Sequence, residues 1–184
     1  EGTQVTGTVQ DEFETVLYTG NGTSQTISSA NITSGIDFVW SKQRNGTVNN
    51  VLFDSIRGGD KVLLSDTTNV EATDATMITS FGTSGYSIGS NAGVNANTNT
   101  YVAWCASLPT YNASNTDGTI TSVTKSNSFM SAVSYTGTGA LGTVGHGLSA
   151  KPQLVIYKRR NAIDGWMTYN ETSGATKYMI FNDT

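Results

Sequence analysis

The chain has 184 residues, a formal net charge of −4 and a charged fraction of 13%, against about 25% in a typical soluble domain. The acidic balance argues against a phosphate-binding stripe for nucleic acid, and no apolar run approaches the ~18 residues of a membrane helix. One Cys and one His exclude an internal disulfide, a thiolate zinc cluster and a multi-histidine metal site.

Thr, Ser, Asn and Gly make up 85 of the 184 residues. Apolar residues nevertheless reach 36% and come in short alternating bursts, the mark of a folded β protein and not of a disordered chain. No secretory leader is visible, although one could have been removed before this numbering begins. In chain order, period-2 alternation predicts strands at Thr3–Val9, Phe13–Thr19, Ile36–Lys42, Asn50–Ser55, Lys61–Ser65, Met77–Phe81, Tyr86–Ile88 and Thr100–Ala106. Further strands are predicted at Thr119–Lys125, Met130–Thr136, Gln153–Lys158, Gly165–Tyr169 and Lys177–Phe181. Asn21-Gly22, Asn45-Gly46, Asp117-Gly118 and Asp164-Gly165 are turn signals between them. No segment sustains a 3.6-residue period. The pattern predicts an all-β, antiparallel, jelly-roll-like β-sandwich. Phe38, Trp40, Leu52, Phe53, Ile88, Val102 and Trp104 are the expected core.

The chain also resembles itself. Val16-Leu17-Tyr18-Thr19-Gly20-Asn21-Gly22 recurs as Val133-Ser134-Tyr135-Thr136-Gly137-Thr138-Gly139. Asp37 to Asn45 (DFVWSKQRN) recurs as Gln153 to Asn161 (QLVIYKRRN), and Lys61-Val62-Leu63-Leu64 as Lys177-Tyr178-Met179-Ile180. Ordered matches about 116 residues apart predict a tandem repeat with an incomplete second copy. The expected division is a first unit at 1–108, a linker at 109–118 and a partial second unit at 119–184. On this reading the chain continues, or another subunit supplies the strands that close the second copy.

Several side chains invite a chemical reading. Asp11, Glu12 and Glu14 form the dense acidic cluster, and alternating carboxylates on a strand are the equipment of a glycosidase. They do not recur in the second copy, and a solvated strand end is the favoured explanation for them. Asp54, Ser55 and Arg57 follow a strand, where a turn or a calcium site would use them. Lys42 and Arg44 recur as Lys158 and Arg160, either as edge-strand charges that block unwanted pairing or as contacts to a carboxylate or an anionic glycan. Lys42, Arg44, Arg57, Lys158 and Arg160 are therefore the candidate partner or ligand contacts. Cys105 reads as a small buried hydrophobe and His146 as a turn residue. Sequons stand at Asn21, Asn31, Asn45, Asn112, Asn170 and Asn182. Phosphate-loop, GxSxG and HExxH patterns are absent. No catalytic, cofactor-binding or metal-binding residue is expected.

The blocks YTGNG, DFVWSKQRN, LFDSIRG, SFGTSGYSIGSNAGVN and TYVAWC, then YTGTG and VGHGLSAKPQLVIYKRR, resemble a repeated β domain of uncharacterised function. That domain recurs in virion structural proteins of tailed bacteriophages, marine ones especially, which are labelled as tail-fibre or tail proteins. The resemblance implies a non-enzymatic virion protein without cofactors: a tail fibre or receptor-binding appendage contacting the host cell surface. Its expected partners are copies of itself, as a trimer in the fibre reading, other virion proteins and a host surface glycan. A capsid decoration or head-fibre protein on the major capsid protein is the first alternative. A polymerising extracellular filament subunit that uses inter-chain strand complementation is the second.

Overall fold

The structure is a computed structural model that describes residues 9–182. A single helical turn, α1 (Val9–Glu12), leads into β1 (Phe13–Thr19) and β2 (Gln25–Ser28). Then follow β3 (Phe38–Gln43), β4 (Val51–Asp54), β5 (Lys61–Leu64), β6 (Ala72–Thr73), β7 (Ile78–Phe81) and β8 (Gly85–Ile88). A second turn, α2 (Ala92–Asn95), precedes β9 (Thr100–Ala106). The remainder is β10 (Thr110–Asn115), β11 (Ser122–Ser126), β12 (Ser131–Tyr135), β13 (Leu154–Lys158), β14 (Trp166–Asn170) and β15 (Met179–Ile180).

All strand pairs between these elements are antiparallel. A six-stranded sheet runs β1-β9-β3-β4-β5-β6, and a three-stranded sheet β2-β8-β7 faces it. Ile27, Ile78, Tyr86 and Ile88 of the small sheet meet Val39, Val51, Phe53, Ala103 and Cys105 of the large one. The fold is thus an antiparallel β-sandwich. Two further three-stranded sheets, β10-β11-β12 and β13-β14-β15, complete the chain.

Strand alternation explains the burial. Residues of β3 and β9 are buried at every second position, because successive side chains point to opposite faces. The parity differs from the expected one. Phe53 and Ile88 are in the core. Phe38, Trp40, Leu52, Val102 and Trp104 are half-buried on the other face of the large sheet, where Trp40 opposes both Leu52 and Trp104. The sandwich interior takes the smaller Val39, Ala103 and Cys105 instead. The outer face holds the indoles because a later part of the chain covers it: the Trp40 ring lies 5.7 Å from Phe181, and Trp166 Nε1 donates to the Leu64 carbonyl at 2.9 Å.

Most predicted strands are present. The predicted strand Thr3–Val9 falls largely outside the described residues, and its last residue, Val9, starts α1. The stretch 109–118, expected as a linker, carries β10, which pairs with β11. Its polar Thr-Tyr-Asn-Ala-Ser-Asn sequence has no apolar stripe, so alternation gives no sign of it. β12, whose sequence matches that of β1, pairs with β11, whereas β1 pairs with β9.

Candidate functional site

The charged residues singled out by sequence divide into two groups. Arg57 and Arg160 converge on one carboxylate, Glu71. Arg57 Nη1 lies 2.9 Å and Arg160 Nε 3.0 Å from Glu71 Oε2, and Arg160 Nη2 donates to Oε1 at 3.1 Å. Arg57 also pairs with Asp54 through Nε, at 2.6 Å. The Arg57 side chain is 5% exposed and that of Glu71 13%, while that of Arg160 is 43% exposed, so the node runs from the interior to the surface. Burial pushes the Glu71 carboxyl up, but hydrogen bonds and charge from both guanidiniums outweigh it and hold the group below its ordinary range. Lys158 reaches the Thr68 and Asp164 carbonyls, and its burial lowers its basicity against the pull of Asp164. Lys42 donates to the Val48 carbonyl. Arg44 is exposed, with its backbone N–H on the Thr100 carbonyl at 2.7 Å.

The acidic cluster is split between elements. Glu12 ends α1 and accepts from Ser128 N and Oγ. Glu14 lies in β1 and caps the Ser29–Asn31 turn, accepting from Ser29 Oγ and from the Ala30 and Asn31 N–H groups. Burial raises the Glu14 carboxyl pKa, but these three donors together outweigh it and bring the group below its usual value. Asp54 Oδ1 caps its own turn by accepting from Ile56 N and Arg57 N. Cys105 is buried beside Val39 in the core, and burial, then the charge of Glu14, pushes its thiol up to about 12. His146 Nδ1 accepts from Leu148 N at 3.1 Å within a turn, where Gly147 carries the positive φ of 72°. Among the described residues no three His, Cys, Asp or Glu side chains gather to hold a metal ion, and no helix is long and apolar enough to cross a membrane.

Three important groups were not legible as such. Asp37, buried ahead of β3, accepts from Ser55 Oγ at 2.6 Å, Leu108 N at 2.9 Å and Lys125 Nζ at 2.5 Å. Lys125 comes from β11, so this pair ties the third sheet to the sandwich. It lies in an open cleft of about 450 Å³ that Phe81, Thr83 and Pro109 also line. Asn95 is fully buried and bonds Asn21 N, Gln25 Nε2 and the Gly89 carbonyl. Asp37 stands at a strand start and Asn95 at the end of the short α2 turn in an Asn-rich stretch, so neither has a local pattern that marks it.

The largest departure from an ordinary closed surface is the sheet β13-β14-β15. Leu154, Val155, Ile156 and Tyr157 are all exposed, at 54%, 36%, 40% and 46%. Tyr178, Met179, Ile180 and Phe181 are exposed beside them. Trp166 and Thr168 of β14 are buried, at 4% and 3% exposure, and the Phe181 ring reaches Trp40. Leu154 and Ile156 lie on one face of the sheet and Val155 and Tyr157 on the other, so apolar side chains are exposed on both faces, and exposed apolar patches mark interaction surfaces.

A family model matches residues 8–184. The chain belongs to the family DUF7483, a domain of unknown function. No curated protein and no solved structure matches it. The family match spans the sandwich and the sheet β13-β14-β15 together.

Proposed function

We propose that this DUF7483 domain is a non-enzymatic structural module of a bacteriophage virion, placed in a tail fibre or receptor-binding appendage. The observation that carries the reading is where the ionic side chains go. Glu12, Glu14, Asp37, Glu71, Arg57 and Arg160 tie one element of the fold to another, and Asp54 caps the turn that holds Arg57. The surface offers hydroxyl and amide groups, scattered charges such as Arg44, Asp117 and Arg159, and one apolar sheet. That is the economy of a scaffold. The sequence blocks listed above, which resemble tail and tail-fibre domains, point the same way. Host surface glycans and neighbouring virion proteins are the partners this reading assigns.

The open edge of β13 favours a second reading, a filament subunit that exchanges strand contacts with its neighbours. Immunogold electron microscopy with antibodies to the chain, on particles carrying the encoding genome, tests both. Label along the tail or its tip is expected. Label on the head surface would move the module to capsid decoration. Label on free fibres alone would favour the filament, and particles without label would defeat the virion reading.

A further inference from the structure

We propose that the cleft floored by Asp37 and Lys125 binds one neutral sugar ring of a surface glycan. The inference rests on the glycan partner assigned above and gives it a place on the chain.

The cleft forms where the sandwich meets β10 and β11. On the sandwich side, the chain ahead of β3 lies against the turn after β7. Gly35 N donates to the Thr83 carbonyl at 2.9 Å and Ile36 N to the Gly82 carbonyl at 3.0 Å. Gly35 has a φ of 109°, which strains any residue with a Cβ, so this wall stays bare of side chains. On the other side, Tyr111 of β10 opposes Lys125 of β11. Directly opposed residues share a sheet face, and the ammonium lies 5.8 Å from the ring centre. The space between is about 450 Å³, within the roughly 300–1,000 Å³ of small-ligand clefts.

The polar groups here are only partly used. Asp37 receives donors from Ser55, Leu108 and Lys125, which leaves one of the four or so acceptor positions of a carboxylate. Lys125 gives one N–H to Asp37, and two of its three donors are left over. Its side chain is 24% exposed, so those donors are accessible. Thr83, exposed at the rim, adds a hydroxyl. Apolar surface comes from Phe81 and Pro109 in the wall and from the exposed Tyr111 ring.

These groups select the ligand. Ammonium and carboxylate neutralise each other at 2.5 Å, so phosphate finds no net positive charge to hold it. A calcium ion would meet one carboxylate beside a fixed ammonium, far short of the oxygen ligands it takes. A wholly apolar ligand would strip water from the ammonium and replace it with nothing. A sugar ring meets each demand. Its hydroxyls accept from Lys125 and donate to Asp37, and its C–H face rests on the negative face of an aromatic ring.

Nor does the local hairpin require this pair. Asp37 precedes β3 and Ser55 follows β4, joined by a bond from Ser55 N to the Asp37 carbonyl. At positions shifted by 116 residues, Glu171 N bonds the Gln153 carbonyl around β13 and β14 in the same way. That hairpin forms with no aspartate at this point.

The test is amide-resolved NMR on the full 184-residue chain. Titration with the methyl glycosides of glucose, galactose and N-acetylglucosamine should give saturable shifts at Gly35, Thr83 and Lys125 with at least one of them. Inorganic phosphate should give none. Tyr111→Ala should weaken that binding about two- to tenfold, and Lys125→Met about tenfold or more. The spectra report whether each variant is folded, and where Lys125→Met loosens β11, the exposed Tyr111→Ala decides. No shift with any glycoside overturns the proposal. So does phosphate binding tighter than every glycoside, or binding that neither variant weakens. Shifts confined to another face overturn this site and leave the glycan partner standing. Particles without label in the microscopy defeat the virion reading and leave sugar binding here intact.

Discussion

At the scale of the residue, buried polar groups do more to fix this structure than their number suggests. The Asp37 carboxylate receives a hydroxyl, a backbone N–H and an ammonium. Removing it leaves a buried Leu108 N–H and the Lys125 ammonium without their acceptor. Asp37→Ala should cost about 1–3 kcal/mol, read as a lower urea midpoint with an unchanged slope. Asp37→Asn should cost less, because an amide oxygen still accepts. Cys105 gives a cleaner prediction. Its thiol is buried between the sheets and its pKa is pushed up to about 12, so little thiolate forms at neutral pH. The native protein should resist an aromatic disulfide reagent at pH 8, and the same protein in denaturant should react at once. Rapid native labelling would mean that the sandwich opens locally. Cys105 was legible in the sequence as a small apolar strand residue. Asp37 was not, because its three donors come from residues 55, 108 and 125.

At the scale of the element, Trp166 joins β14 to the sandwich. Its indole is buried, and its N–H reaches the Leu64 carbonyl. Trp166→Ala should destabilise the chain by about 3–5 kcal/mol, and amide exchange should show the loss first in β13-β14-β15. Equal loss of protection in β8 would mean that the two halves unfold as one unit. The strands themselves were largely readable: β1 and β9 run over the predicted residues. The face each presents was less so. Alternation fixes that Trp40 and Val39 point opposite ways, but a shift of one residue exchanges the faces, and both faces of β3 are apolar. The covering of the outer face by Phe181 decides the matter, and that contact lies far away in sequence. β10 was missed because its polar residues carry no alternation at all.

At the scale of the whole molecule, Glu71 clasps the two halves through Arg57 and Arg160. Its folded pKa lies below its ordinary value of 4.5. A group of this sign stabilises fully above the unfolded value, and the contribution fades as pH falls through the lower folded value. Stability should therefore drop as the pH is lowered below about 4.5, with Glu14 and Asp74, also depressed, contributing to the same fall. Glu71→Gln should make denaturant midpoints less dependent on pH across that window. An unchanged slope of stability against pH would show that the clasp is too well solvated to matter.

The sequence by itself determined the all-β class, the places of most strands and the turns between them. These rest on local physics: side-chain alternation along a pleated strand, and glycine and asparagine where the chain reverses. Tertiary structure decided the faces, the sheet order and the fate of the charges. Arg57, Lys158 and Arg160 look alike as cations in the sequence, yet two of them share one carboxylate and the third is spent on carbonyls. Which groups meet depends on strands far apart in the chain being brought together, and no local pattern encodes that meeting.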